Sequence, residues 1–219
     1  MVNICMQWKT LLESRSTQFA FADTPIDFDH IHAVVAHTVS HVPSKQLHQP
    51  YTVHIVDNTP ELKLKFAEWT HRDPDCDAAT DPGNPQSQAP CILMFVPNSN
   101  STFESDYTSN GWIKHAYMEI GIVSASCNYA LIDSGYACGY CGCFSEPDEN
   151  NNAGKQLIAQ HFGLSRGPAV IIGVGYASNS DQWWDPRTNT HKPLPLNSTG
   201  KGMGTDLRKN VDSMVYMHL

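Results

Sequence analysis

Three short stretches of this chain carry side chains whose types and spacing could do chemistry. Ser14-Arg15-Ser16-Thr17-Gln18 sets one guanidinium among hydroxyls. Arg offers a phosphate a bidentate fork and Ser adds a further donor; the same residues also make an ordinary solvated turn. Residues 43–56, PSKQLHQPYTVHIV, offer Ser44, Lys45, His48 and Gln49 as donors in a polar turn that ends in Pro50 and runs straight into a β-type strand. Donors anchored at the mouth of a sheet are well placed to touch a ligand, although alone this too is simply a turn. Residues 135–144, GYACGYCGCF, combine three Gly with three Cys. Gly139 and Gly142 let the backbone approach a flat ligand closely and point N–H groups at it. Cys138-x-x-Cys141-x-Cys143 offers soft metal ligands, but a structural zinc site takes four, usually as two paired knuckles. Cys127 lies inside a helical stretch and Cys76 and Cys91 are isolated, so small buried side chains describe the cluster better.

Other patterns fall short of the chemistry they suggest. His37-x-x-x-His41 has metal-ligand spacing on a helix without a Glu between, which fits a solvent-facing or interface pair. Gly173-x-Gly175 follows a strand, but DQWWDP comes next where a dinucleotide fold would place a helix. Gly200-Lys201-Gly202 lacks the upstream Gly and following Ser/Thr of a P-loop. No G-x-S-x-G nucleophile elbow occurs.

The elements that must position these residues follow from periodicity. Residues 2–14 and 27–41 suit helices, the second with Ile31, Val35, Thr38, Val39 and Val42 on one side and His30, His37 and His41 on another. Residues 51–57 alternate and are β-branched, as in a strand, and 61–70 suit an amphipathic helix. Residues 71–90, rich in Asp, Pro, Gly, Asn and Gln, suit an exposed loop. Residues 91–97 are a continuous apolar run, as in a buried strand. Residues 112–134 suit a long helix, capped by Ser109 or Asn110 and ended by Gly135. It is apolar on most faces and so buried on most, against a sheet and against a partner subunit. A helix over 152–162 ended by Gly163, a strand over 169–177, a loop over 178–201 and a short strand over 215–219 complete an α/β or α+β sandwich.

With 219 residues, one domain spanning 1–219 is expected. Fourteen Lys+Arg against 22 Asp+Glu leave a net charge of −8 and no basic run, a poor match for nucleic acid or an anionic membrane. No N-terminal apolar block suggests a secretory signal, and no apolar run approaches the length of a membrane helix. Seven irregularly spaced Cys suit reduced thiols in a cytoplasm.

Taken in order, four segments resemble the nitroreductase family, the FMN-dependent NAD(P)H oxidoreductases. SRSTQFAF is similar to that family's N-terminal phosphate motif, and PSKQLHQPYTVHIV to its Pro-Ser-Ser-x-Asn-x-Gln-Pro-Trp turn and strand. The helix through Asn128-Tyr129-Ala130-Leu131 with SGYACGYCGCF is similar to its central helix and flavin-facing loop, and HFGLSRGPAVIIGVGYA to its helix end and following strand. The resemblance implies an α+β fold, a mixed central sheet flanked by helices, in an intertwined homodimer with the long central helix at the interface. It implies FMN as cofactor, a ping-pong cycle from NAD(P)H to a small organic acceptor, and no catalytic side chain. By position, Arg15, Ser16 and Gln18 fall at the phosphate and ribityl chain. Pro43, Ser44, Lys45 and Leu47 fall at the ring, from the other subunit, and the N–H of Gly142 or Cys143 near the flavin N5. Ser14, Gln18, Lys45 and Leu47 stand where the family has Arg, Lys or Arg, Ser and Asn. The alternative function is therefore a protein of this fold with weakened or lost FMN binding, acting as a binding or accessory protein.

Overall fold

The longest apolar run in the chain becomes its most buried strand. A computed structural model describes residues 10–12, 15, 17–70, 84–98, 111–145, 153–178, 182–185 and 190–193. In it β1 (Tyr51–Asp57), β2 (Cys91–Pro97), β3 (Ala137–Cys141) and β4 (Val170–Gly175) form one sheet of order β1-β2-β4-β3. Every pairing among them is antiparallel. All seven residues of β2 are buried, because both faces of the sheet are covered.

Alternation along β2 divides the core in two. Cys91, Leu93 and Phe95 face α1 (Phe28–His41) and α3 (Gly111–Asp133), meeting Ile31 and Val35 of the first and Ile120, Val123, Cys127 and Leu131 of the second. Ile92, Met94 and Val96 face α2 (Pro60–Trp69) and α4 (Gly154–Phe162), meeting Phe66, Trp69 and Ile158. The result is a three-layer α+β sandwich. Local signals set the helix ends: the Asp27 carboxylate accepts from His30 N at 2.9 Å, and Thr59 followed by Pro60 opens α2. α3 stops at Gly135, whose φ of 90° lets Tyr136 N donate back to Leu131 O.

Several segments depart from the sequence reading. Within 71–90, residues 84–90 are not exposed loop. They form a buried 3₁₀ turn, Pro85–Gln88, lying flat on the sheet. The turn fits because the paired glycines Gly139 and Gly173 leave room: a Cβ on Gly173 would stand 2.2 Å from Gln86 O. Two of its carbonyls are satisfied from below, Asn58 Nδ2 donating to Ser87 O and Ala89 O at 2.8 and 2.7 Å. Residues 137–141 are strand rather than loop; three small residues hid the alternation. Residues 178–201 include a hairpin of β5 (Gln182–Asp185) and β6 (Thr190–Pro193). The helix expected over 2–14 shows as a helical turn at 10–12. Its remainder, the caps Ser109 and Asn110, residues 71–83 and the strand at 215–219 lie outside the described residues.

Candidate functional site

The polar turn before β1 is built around one buried carboxylate. Glu119, 3% exposed, reaches across from α3. Its Oε2 accepts from Ser44 Oγ at 2.7 Å and its Oε1 from Lys45 N at 3.0 Å. Ser44 Oγ in turn accepts from Gln49 N at 2.8 Å, and Gln49 Nε2 donates to Val39 O at 2.7 Å. These bonds hold an unfavourable backbone. Gln46, Leu47 and Gln49 have φ of 53°, 60° and 42°, each costing a side-chain-bearing residue roughly 1–2 kcal/mol. Strain of this kind concentrates where a loop is displayed for function. At the tip, Leu47 is 84% exposed. Beneath it, the Tyr51 phenol is pushed up to about 12, by burial first and then by the Glu119 carboxylate and Cys127.

At the far edge, residues 17–18 run beside β3, with Gln18 N donating to Cys138 O at 2.9 Å. Gln18 turns its side-chain amide onto Ala20 O. Arg15 Nη1 donates to Thr17 Oγ1 at 3.4 Å. Ser14 and Ser16 lie outside the described residues. Gly139, expected to admit a ligand, is filled from within: a Cβ there would lie 2.3 Å from Gln18 O. Gly142 behaves differently. It is exposed, and a Cβ on it would meet nothing within 4 Å, so packing in the protomer gives no reason for a glycine. Cys143 beside it is half-buried.

Both regions lie at the same end of the sheet. Cys141 pairs with Ile171, Ile171 with Met94, and Met94 with His54. Three strand spacings separate them, roughly 14 Å at ~4.8 Å each. The structure therefore sets Pro43, Ser44, Lys45 and Leu47 at one edge and Gly142 and Cys143 at the other, while Gln18, beside Cys138 on that far edge, sits toward the opposite end, in the row of Val174, Cys91 and Asp57. One protomer does not join the sets.

The Cys-x-x-Cys spacing does not make a metal centre. Cys138 packs in the core under α1 and α3, whereas Cys141 packs in the core under α2 and α4. Residues three apart on a strand point to opposite faces. Among the described residues no group of three His, Cys, Asp or Glu could hold a metal. His37 and His41 stack on the exposed side of α1, ring centroids 4.2 Å apart.

No protein-family profile and no curated protein matches this sequence. Solved structures do. A Streptococcus pneumoniae nitroreductase family protein aligns with TM-score 0.63 and 15% identity, over 96% of this chain and 100% of that one. A protein of Exiguobacterium sibiricum, assigned as a nitroreductase and solved in complex with FMN, aligns with TM-score 0.67 and 11% identity, over 96% of each chain.

This is the nitroreductase fold.

A nitroreductase of Lactococcus lactis in complex with nicotinic acid shares it at TM-score 0.59 and 15% identity, over 79% of this chain and 93% of that one. Within the nitroreductase fold, the residue that sequence reasoning missed is Glu119. Its signal was a single carboxylate in the otherwise apolar run Tyr117-Met118-Glu119-Ile120, where an unpaired charge would not be buried.

Proposed function

We propose that this chain is an FMN-dependent oxidoreductase of the nitroreductase type, acting as a homodimer in the cytoplasm and passing electrons from NAD(P)H to a small organic acceptor. The observation that carries the reading is the division of the site. Two candidate ligand-contacting regions stand at the same end of the sheet on opposite edges. A second copy, turned about a two-fold axis, would bring one region of each protomer against the other region of its partner.

The surface of α3 supports such a pairing. Met118, Ile122 and Tyr117 are exposed apolar residues on it. Gly121 lies among them, and a Cβ there would meet nothing within 4 Å. A mid-helix glycine costs about 1 kcal/mol, and close approach of another helix supplies a reason for it.

The residues present fit a flavin at the ring end best. Gly142 leaves backbone uncovered where a flat ring could lie against it, with the Cys143 N–H beside it. Lys45 and Leu47 come from the partner's turn, held in place by Glu119. Arg15, with Ser16, takes the phosphate end. FMN, when bound, supplies two-electron transfer, received from NAD(P)H and given to the acceptor in turn at one site. The chain's own part is to bind, orient and exclude water. The phenols of buried Tyr51 and half-buried Tyr140, both pushed up to about 12 chiefly by burial, stay protonated at neutral pH, so neither is poised as a base.

The test is the absorbance spectrum of the purified protein. Visible flavin bands that bleach on adding NAD(P)H are expected. Colourless protein that takes up no added FMN would contradict the reading.

A second reading, the same fold with weakened FMN binding, is favoured by the phosphate end. Gln18 spends its amide on Ala20 O, and Arg15 is the sole cation in 10–20. Each charge-assisted bond to a phosphate is worth roughly 1.5–3 kcal/mol. On this reading Ser14→Arg with Gln18→Lys creates FMN binding in an otherwise colourless protein, and no change counts against it.

A further inference from the structure

Cys141, Gly142 and Cys143 stand where β3 leaves the sheet. Cys141 is buried, Gly142 exposed and Cys143 half-buried, and both thiols are reduced. The Cys141 thiol reaches toward Cys143, its Sγ donating to the Cys143 carbonyl at 3.9 Å. Hydrogen bonding with the Cys143 side chain, then burial, holds the Cys141 thiol well above its ordinary range. The other described cysteines, Cys91, Cys127 and Cys138, sit in the core between the sheet and α1 and α3, their thiols pushed up to about 12 by burial. They have no route to solvent and serve as internal references.

The residue between the two sulfurs matters. A disulfide across one intervening residue closes a small ring and bends the backbone sharply. Glycine adopts such a bend most readily, and the neighbourhood leaves it room to do so, since nothing lies within 4 Å of a Cβ there. The chain immediately after the pair is fastened independently, Ser145 N donating to Trp69 O and Ser145 Oγ to Glu68 O. Bending at Gly142 therefore stays local.

We propose that Cys141-Gly142-Cys143 is a dithiol–disulfide site that exchanges with low-molecular-weight disulfides. Cys143, the more exposed, is the attacking sulfur. It loses its proton to solvent and attacks one sulfur of the external disulfide, forming a mixed disulfide and expelling one thiolate, which is protonated by solvent. Cys141 then loses its proton and attacks the Cys143 sulfur, forming the internal S–S bond and expelling the second thiolate, which takes up a proton. One external disulfide becomes two thiols as two protein thiols become one disulfide. Burial of Cys141 makes this resolving step the slow one. The assignment needs only the two sulfurs, although Gly142 and the Cys143 N–H are also the backbone that the flavin reading sets beside the ring.

The test equilibrates the full chain in buffers of stepped oxidised-to-reduced glutathione ratio, quenches with acid, then alkylates with N-ethylmaleimide in neutral denaturant so that buried thiols are reached. Chymotrypsin, which cuts after Tyr140 and Phe144, isolates the pair for mass spectrometry. The expected result is a fragment that loses both maleimide groups and two hydrogens at ratios where Cys138 is still alkylated. In Cys141→Ser, Cys143 carries glutathione instead; in Cys143→Ser, Cys141 stays alkylated throughout. Both thiols alkylated at every ratio would overturn the proposal, as would Cys143 bridged to Cys5, Cys76 or another chain. If Cys141→Ser does not fold, the native chain and Cys143→Ser still decide.

Discussion

The turn at 44–49 is held by a few side-chain bonds centred on Glu119, whereas the turn at 84–90 is enclosed by backbone and core. Their sequences are alike: Ser44-Lys45-Gln46-Leu47-His48-Gln49-Pro50 and Asn84-Pro85-Gln86-Ser87-Gln88-Ala89-Pro90. Each is a tight turn that ends in proline and enters a strand, only the second with regular 3₁₀ backbone, and the two strands pair with one another. One turn is displayed, strained and held by Glu119. The other is buried, seated over Gly139 and Gly173, with two of its carbonyls bonded by Asn58. What separates them lies in the residues they meet rather than in their own composition.

The largest expected effect comes from closing the seat of the buried turn. Gly173→Ala puts a Cβ 2.2 Å from Gln86 O and 2.8 Å from Ala89 Cβ, and backbone on one side leaves little to yield. Urea unfolding should show a loss of about 3 kcal/mol. A loss under about 1 kcal/mol would mean that the turn does not sit on the sheet. Next comes the displayed turn. Glu119→Gln removes the charge from the carboxylate that accepts from Ser44 Oγ and Lys45 N, costing about 2 kcal/mol. Amide exchange at Lys45 and Gln49 should accelerate while that at Ser87 and Ala89 keeps pace with global unfolding. Equal acceleration at both turns would erase the distinction between them.

Smaller changes sharpen the contrast. Leu47→Gly relieves a φ of 60° at a residue with few contacts to lose. Relief of about 1 kcal/mol is partly offset by the entropy of glycine, leaving a slightly higher melting temperature. The self-association constant should fall in the same variant if Leu47 meets a partner. Smallest of all, Gly142→Ala should change stability by less than about 0.5 kcal/mol, since its Cβ meets nothing. Flavin affinity, followed by fluorescence titration, should nonetheless drop about tenfold, equivalent to ~1.4 kcal/mol. A Gly142→Ala protein with native flavin affinity would remove Gly142 from the site.

The sequence carried those parts of the fold that depend on local pattern. The starts of α1 and α2, the end of α4 at Gly163, the strands β1, β2 and β4, and the stop at Gly135 follow from caps, alternation and glycine. β3 was not legible, because Ala137, Cys138 and Gly139 are too small to show which side faces the core. The buried turn was not legible either, because its place depends on Gly139 and Gly173, distant in sequence and themselves uninformative alone. At the candidate site, Ser44, Gln49 and Gly142 stood out from composition. Glu119 did not, since only the fold sets its carboxylate beneath the turn. Gly139 was placed on a ligand and instead accommodates the chain's own Gln18 and Gln86.

The division of the site between two protomers is tested most directly by sedimentation velocity followed at two wavelengths, one for protein and one for the visible flavin band. The expected result is flavin absorbance that travels with a dimer and none with any monomer present at low protein concentration. Flavin travelling with a monomer, or a dimer that carries none after incubation with FMN, would contradict it.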